Sequence, residues 1–341
     1  MARGSRKHRA AAQGGSQPQP VEAPRASLYA EITARIVAEM EAGRVPWIQP
    51  WGPGTAGAGL PRNAVTGRPY SGINVLILWG AVIGGGYPSQ SWLTFRQALA
   101  AGGAVRKGER GTCVVYADHF VSTRSGTGAT GTDGDRRDEG EQTRPVPFLR
   151  RFTVFNLAQC EGLREDLAGD AAPLPEREIV PVAETLIAAS GVDFRVGGDK
   201  AFYVPSLDFV AVPPQPAFFD QINWYRTALH ELTHATGHKS RLDRNLASAF
   251  GTSGYAREEL VAEIGSAFLC AALGIVPTVR HADYLGSWLD VLREDNRAIF
   301  RAASQASKAA DWLLARRDAA EASSTACAAA RACAAGEEGA A

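Results

Sequence analysis

Cysteine, methionine and histidine are all scarce in this chain, at five, two and six among 341 residues. Cys113, Cys160, Cys270, Cys327 and Cys333 are odd in number and scattered, without the paired spacing of a disulfide framework or a thiolate metal site. That argues against a disulfide-stapled secreted domain and fits a reducing, cytoplasmic setting. Net charge is lacking too, with 36 basic residues against 36 acidic ones. The whole-chain field therefore favours neither nucleic acid nor an acidic partner, and only local charge can argue for either. No apolar run reaches bilayer-spanning length, so no membrane role is expected. The segment GINVLILWGAVIGGG is short and glycine-broken and reads as a buried core element. The basic start, MARGSRKHRAAAQGGSQPQP, is not followed by the apolar core of a signal peptide.

What is present is enough apolar residue for two domains, and composition divides the chain. Residues 1–26, rich in Gly, Ala, Gln and Pro, read as a disordered basic tail. A first domain, 27–165, opens on a helix in which Leu28, Ile32, Ile36 and Met40 recur at helical spacing before Gly43. Two strand-like runs, GTCVVYADHF and PFLRRFTVFNL, flank a polar, glycine-rich stretch, 121–145, expected to be a disordered insert. A linker at 166–180 leads to a second domain, 181–318, with short strands followed by strong helical segments. One long helical stretch, from ADYLGSW to WLLARRD, is expected to complete it. The Ala-rich end, 319–341, has no large apolar residue and reads as a frayed, disordered tail. The fold class is α+β in two domains.

Half of the scarce histidines fall within RTALHELTHATGHKSRLDR, residues 226–244. On a helix His230 and His234, four apart, stand one above the other and can converge on one cation. Glu231 lies one step round, placed to reach a water on that cation without binding the metal. This is the H-E-x-x-H arrangement of zinc-dependent peptidases, with Glu231 as general base and a metal-activated water attacking a peptide carbonyl. Chance can produce such a pattern, but here it sits among Trp224, Leu229 and Leu232, with Gly237 breaking the helix behind it.

A catalytic zinc site needs a third protein ligand and an open position. His238 follows the expected helix end, and the longer pattern with a third histidine would need one at 240, where Ser240 stands. His238 reads as a capping or supporting residue more than as a ligand. Glu259 and Glu263 form an i, i+4 pair on a following apolar helix, where buried carboxylates need partners. One would bind the metal and the other orient a histidine, with Glu259 preferred as ligand. Tyr203, in AFYVPSLD, is a candidate hydroxyl for an oxyanion, although tyrosines on strands are more often packing.

The first half carries no catalytic set. It holds aromatic and basic residues of the kind that stack on bases and track phosphates: Trp47, Trp51, Tyr70 and Trp92, with Arg62, Arg68, Arg96, Arg106, Lys107 and Arg110. From composition alone, core tryptophans and a solvated charged face explain them equally well.

These blocks carry a resemblance. PWIQPW, NAVTGRPYSGIN, WLTFRQALAAGGAVRKGERGTCVVY and FTVFNLAQCEGL resemble the N-terminal domain of ArdC-type antirestriction proteins. AFYVPSLDFVAVP, LHELTHATGHKSRLDR and YAREELVAEIGSAFLCAALGI resemble their zincin-like metallopeptidase domain, in the same order, over roughly residues 27 to 315. The resemblance implies a single-stranded-DNA-binding domain joined to a metal-binding zincin fold, and a mobile-element protein of plasmids or phages that protects incoming DNA. It places the metal-site pattern on His230, Glu231 and His234 and the acidic helix on Glu259 and Glu263. Two functions compete: a zinc peptidase directed to DNA-bound protein substrates, and a non-enzymatic single-strand binder with a structural metal.

Overall fold

In the computed structural model, residues 27–48, 56–57, 59–120, 146–164, 167, 180–246, 251–276 and 284–338 are described. The expected N-terminal tail, most of the linker and the 121–145 insert lie outside them. The first domain begins with α1 (Leu28–Glu41), started by Ser27, whose Oγ accepts from the Ala30 amide at 3.2 Å. Gly43, at φ +77°, follows the helix end in the left-handed conformation that closes helices. Next come β1 (Arg62–Asn63) and α2 (Ile73–Gly85). Residues Ile73 to Trp79 are all buried, which is why this helix is apolar all round.

Then follow β2 (Ser91–Leu93), α3 (Phe95–Ala100), β3 (Ala104–Val105), β4 (Thr112–Phe120), β5 (Val146–Asn156) and β6 (Cys160–Glu161). The order β1-β2-β5-β4 forms a four-stranded sheet, parallel only between β1 and β2. A small pair, β3-β6, stands beside it. The two strand-like runs of the sequence are β4 and β5, paired from Thr112↔Val154 to Phe120↔Val146.

The second domain comprises α4 (Pro181–Ala189), β7 (Asp193–Val196), β8 (Phe202–Val204), β9 (Phe209–Val212), α5 (Ile222–Thr236), α6 (Ser253–Ala272), α7 (Leu285–Glu294) and α8 (Ala298–Glu338). Its sheet runs β7-β9-β8, so β8 is an edge strand. The architecture is α+β in two domains, and α6 lies packed between α5 and α8. The domains meet through apolar contacts. Trp79 of α2 sits edge-on to Phe268 of α6 at 5.6 Å between centroids, and Trp47 meets Trp288 of α7 at 5.9 Å. The Thr33 hydroxyl donates to the Asn296 carbonyl at 2.7 Å and the Gly72 amide to Ser307 Oγ at 2.8 Å, tying α1 and α2 to α8 and the turn before it.

Two expectations are corrected. The single long final helix is two, broken at Asp295–Arg297, where Asp295 leaves the helical conformation and accepts from the Arg297 amide at 3.0 Å. The expected disordered tail from 319 is instead helical through Glu338. Alanine is the strongest helix former, and a run of it extends a helix already nucleated by packing upstream. Among the described residues no helix is long and apolar enough to cross a membrane.

Candidate metal centre

Helix α5 is buried on nearly every side, pinned at its start by Trp224, whose Nε1–H donates to the Pro213 carbonyl at 2.9 Å. His230 and Glu231 are both buried. Helix α6 begins at Thr252, whose side chain accepts from the Tyr255 amide at 3.3 Å, and runs across α5. At the crossing Gly265 faces Thr233: a Cβ on Gly265 would lie 2.5 Å from Thr233 Cγ2. Only glycine permits this approach, made at Thr233 between the two histidines.

The approach brings three donors together. His230 Nε2 and His234 Nε2 are 3.2 Å apart. Glu259 Oε2 is 3.5 Å from the first and Oε1 is 3.6 Å from the second. Ligand bonds of about 2.0–2.1 Å place donors roughly 3.3 Å apart around a tetrahedral ion, so these three side chains are spaced to hold one cation. Among the described residues these three are the cluster able to hold a metal.

Charge agrees with geometry. Burial pulls the His230 pKa down, but the Glu259 hydrogen bond and the charges of Glu231 and Glu263 outweigh it and raise it to about 9. Burial opposes ionisation of Glu259, yet both histidines and Tyr255 hold its pKa down at about 2. The site is thus a concentration of negative charge that holds a proton where a cation could sit.

Of the carboxylate pair, Glu259 and not Glu263 joins the donors. Glu263 is buried and close enough to raise the His230 pKa. It lies one turn further along α6 and acts on His230 through its charge. The carboxylate that orients His234 is Glu258, which the sequence reading missed. Its Oε1 lies 3.2 Å from His234 Nδ1. An ionised carboxylate only accepts, so Nδ1 carries the hydrogen and Nε2 turns its lone pair to the site. Burial works against the Glu258 charge, but hydrogen bonds from His234 and Arg244 hold its pKa below the usual value.

Arg244 grips Glu258 in a fork, Nη2 to Oε1 at 2.8 Å and Nε to Oε2 at 3.1 Å. It also donates to Thr236 Oγ1 at 2.7 Å and the Thr233 carbonyl at 2.6 Å, satisfying the end of α5. Gly237 leaves space for it, since a Cβ there would lie 2.9 Å from Arg244 Nη2. Gly237 does follow α5, but at φ −75°, so its role is room and not a left-handed turn. The signal available in the sequence was the adjacent pair Glu258–Glu259: on a buried helix the two diverge by about 100°, so one needs a partner outside the metal cluster.

His238 is not among the clustered donors. Its Nδ1 meets Ser240 Oγ at 2.8 Å and lies 3.5 Å from Asp208 Oδ2. Asp208, left-handed at φ +52° in the β8–β9 turn, accepts from the Tyr203 hydroxyl at 2.8 Å and pairs with Arg241. Arg241 Nε donates to the Ala235 carbonyl at 2.7 Å, which locks the β8–β9 turn to the end of α5. Burial and the Asp208 carboxylate push the Tyr203 pKa up to about 12, so the phenol stays protonated.

The donors face a cleft of about 400 Å³ walled by Tyr203, Phe202, Glu231, Tyr255 and Tyr284. A second cleft of about 370 Å³ adjoins it, and His230, Glu231 and Ala201 line both. Glu231 therefore stands beside the donors where the two spaces meet. Tyr255, also missed in the sequence, bonds the Glu259 carboxylate and lies 3.4 Å from the Tyr284 hydroxyl.

In the first domain the aromatic candidates are corrected. Trp47, Trp92 and Tyr70 are buried, Trp92 completely, with Trp47 against Trp288 and Trp92 against Tyr87. Rings locked in the core offer no face to a base. Trp51 lies outside the described residues. Arg68, Arg96, Arg106, Lys107 and Arg110 are exposed, with Arg106 paired to Glu109 at 2.7 Å, while Arg62 Nε donates to Ser91 Oγ at 3.2 Å.

Comparison with known proteins matches each domain. Residues 26–155 match the family described as the N-terminal domain of anti-restriction factor ArdC, and residues 181–305 the zincin-like metallopeptidase family. The chain is 41% identical over 292 residues to the uncharacterized protein y4eC of Sinorhizobium fredii, covering 85% of this chain and 92% of that one. It is also 41% identical to a DNA primase TraC of Escherichia coli, but spans only 27% of that longer protein. The metal-free crystal structure of antirestriction ArdC protein from plasmid R388 superposes with a TM-score of 0.69 at 38% identity, over 85% of this chain and 98% of that one. Its Mn(II)-bound crystal structure gives 0.67 at 39% identity, with the same coverage.

Proposed function

Because the chain belongs to the ArdC antirestriction family, with a zincin-like second domain, we propose that it binds single-stranded DNA through its first domain and hydrolyses peptide bonds in its second. The ion is zinc, held by His230, His234 and Glu259. Two imidazoles and a carboxylate at tetrahedral spacing suit zinc, and a relative with a Mn(II)-bound structure supports binding of a divalent cation. The DNA reading draws on relatives that are a DNA primase and an antirestriction protein of a plasmid.

One observation carries the enzymatic reading: the donors open onto a cleft with Glu231 beside them. A structural ion is closed off by a fourth protein ligand, whereas a catalytic one keeps a position open. When bound, the ion supplies Lewis acidity, activating water and polarising a carbonyl. Glu231 takes the proton of the attacking water on its carboxylate and delivers it to the leaving amine. An extended peptide is aligned along β8, whose edge borders the cleft. Tyr203 turns its hydroxyl from Asp208 to the developing oxyanion.

Glu231→Gln tests this: the zinc-loaded variant keeps its metal and fold but loses cleavage of an unfolded protein substrate. If the parent itself cleaves nothing and both protect DNA equally, the ion is structural and the chain acts as a single-strand shield. If the variant cleaves as well as the parent, Glu231 is not the base.

A further inference from the structure

We infer that the single-strand contact surface of the first domain is the open face of the β4–β5 ribbon, with Tyr116 and Phe152 as its stacking rings and Arg150 as its phosphate contact. This rests on the single-strand reading above and gives it an address that the buried tryptophans cannot.

Tyr116 and Phe152 are 49% and 43% exposed, which is unusual for large rings on a sheet. They touch each other, with centroids 5.2 Å apart and planes at 88°. The register sets Tyr116 opposite Arg150 and Val114 opposite Phe152, so both rings and Arg150 project from one face. On that same face the neighbouring Val114 and Val154 are buried, so the rings sit where the core ends. Arg151 belongs to the opposite face and pairs with Glu31 of α1.

Rings and arginines together point to the occupant. Tyr70 adjoins Tyr116 and joins it to the turn carrying Arg68. On the face of the rings, Arg150 stands beside them and Arg68 is exposed in the adjoining turn. Arg151 faces α1, Arg62 bonds Ser91, and the next same-face register position beyond Tyr116 is Asp118. Two arginines beside exposed rings are the pairing that binds single strands through stacking and phosphate contact. Ring orientation selects single strands over duplex. Two planes at 88° cannot both stack on successive bases of a continuous helix, but they accept bases splayed from a flexible backbone.

The test uses the full-length chain and a fluorescein-labelled oligothymidylate followed by anisotropy. Tyr116→Ala and Phe152→Ala each weaken binding at least about fivefold. Phe152→Trp retains binding, and its indole emission is quenched by the stacked base. Arg150→Gln lowers the slope of log K against log salt by about 0.7. If the parent binds and the alanine variants bind equally well, or the new tryptophan is not quenched, this surface is wrong while the single-strand reading stands. If the parent does not bind, the single-strand reading itself falls. If sizing shows an oligomer that Tyr116→Ala dissolves with DNA affinity unchanged, the face joins copies of the chain and the inference is overturned.

Discussion

Glu258 accepts from His234 Nδ1 at 3.2 Å while held in the guanidinium fork of Arg244, so a loop following α5 governs the orientation of a residue on α5 itself. Glu258→Gln keeps the volume but removes the charge that fixes the imidazole. Metal affinity should fall about 10–100-fold, read by titration against a chelating dye. Arg244→Ala strands a buried carboxylate and should cost about 3–5 kcal/mol in denaturant unfolding. Unaltered affinity in Glu258→Gln would show that His234 is held by packing alone.

The α5–α6 crossing is expected to be equally sensitive. Gly265→Ala places a methyl 2.5 Å from Thr233 Cγ2, so the helices must part. A loss of about 1–3 kcal/mol is expected, with weaker metal binding because Glu259 rides on α6. Thr233→Ser removes the opposing methyl and keeps a hydroxyl for the Leu229 carbonyl. In a double-mutant cycle it should recover part of the loss, and strict additivity would refute the contact.

Protons and metal compete for the site. In the metal-free chain the His230 pKa is raised to about 9, burial being outweighed by Glu259, Glu231 and Glu263. A raised value means that this stability is fully present below the unfolded pKa of about 6.5 and is lost as pH climbs through 9. Glu259, held at about 2, contributes stability above its unfolded pKa of about 4.3 that is lost only as pH falls through 2. In chelator, Tm should therefore decline from pH 6.5 to 9, and in zinc it should not, because the ion replaces the proton. A flat Tm profile in chelator would contradict the charge reading.

The histidine pair was legible because a four-residue step on a helix is a local rule, and His230 and His234 obey it. The choice between Glu259 and Glu263 was half legible. Spacing placed both on one face, but the reach of the crossing helix, set by Gly265 against Thr233, decides which one meets the histidines. Glu258 and Arg244 escaped notice because their contact spans a loop, and no local period encodes it. Composition leaves Trp47 and Trp92 open between base-stacking and core because their partners, Trp288 and Tyr87, are settled by packing, in Trp47's case across the domain junction. The alanine run past residue 319 reads as a tail because it lacks apolar anchors. Yet side chains from Glu321 to Ala326 are exposed and still helical, so propensity alone sustains it once α8 has started.

The most direct measurement is metal stoichiometry by elemental analysis, on the parent chain and on His230→Ala, Glu259→Ala and Glu231→Gln after equilibration with zinc. The account predicts one ion per chain in the parent and in Glu231→Gln, with none retained by the other two variants. Full occupancy in His230→Ala and Glu259→Ala, or an ion-free parent, would contradict it.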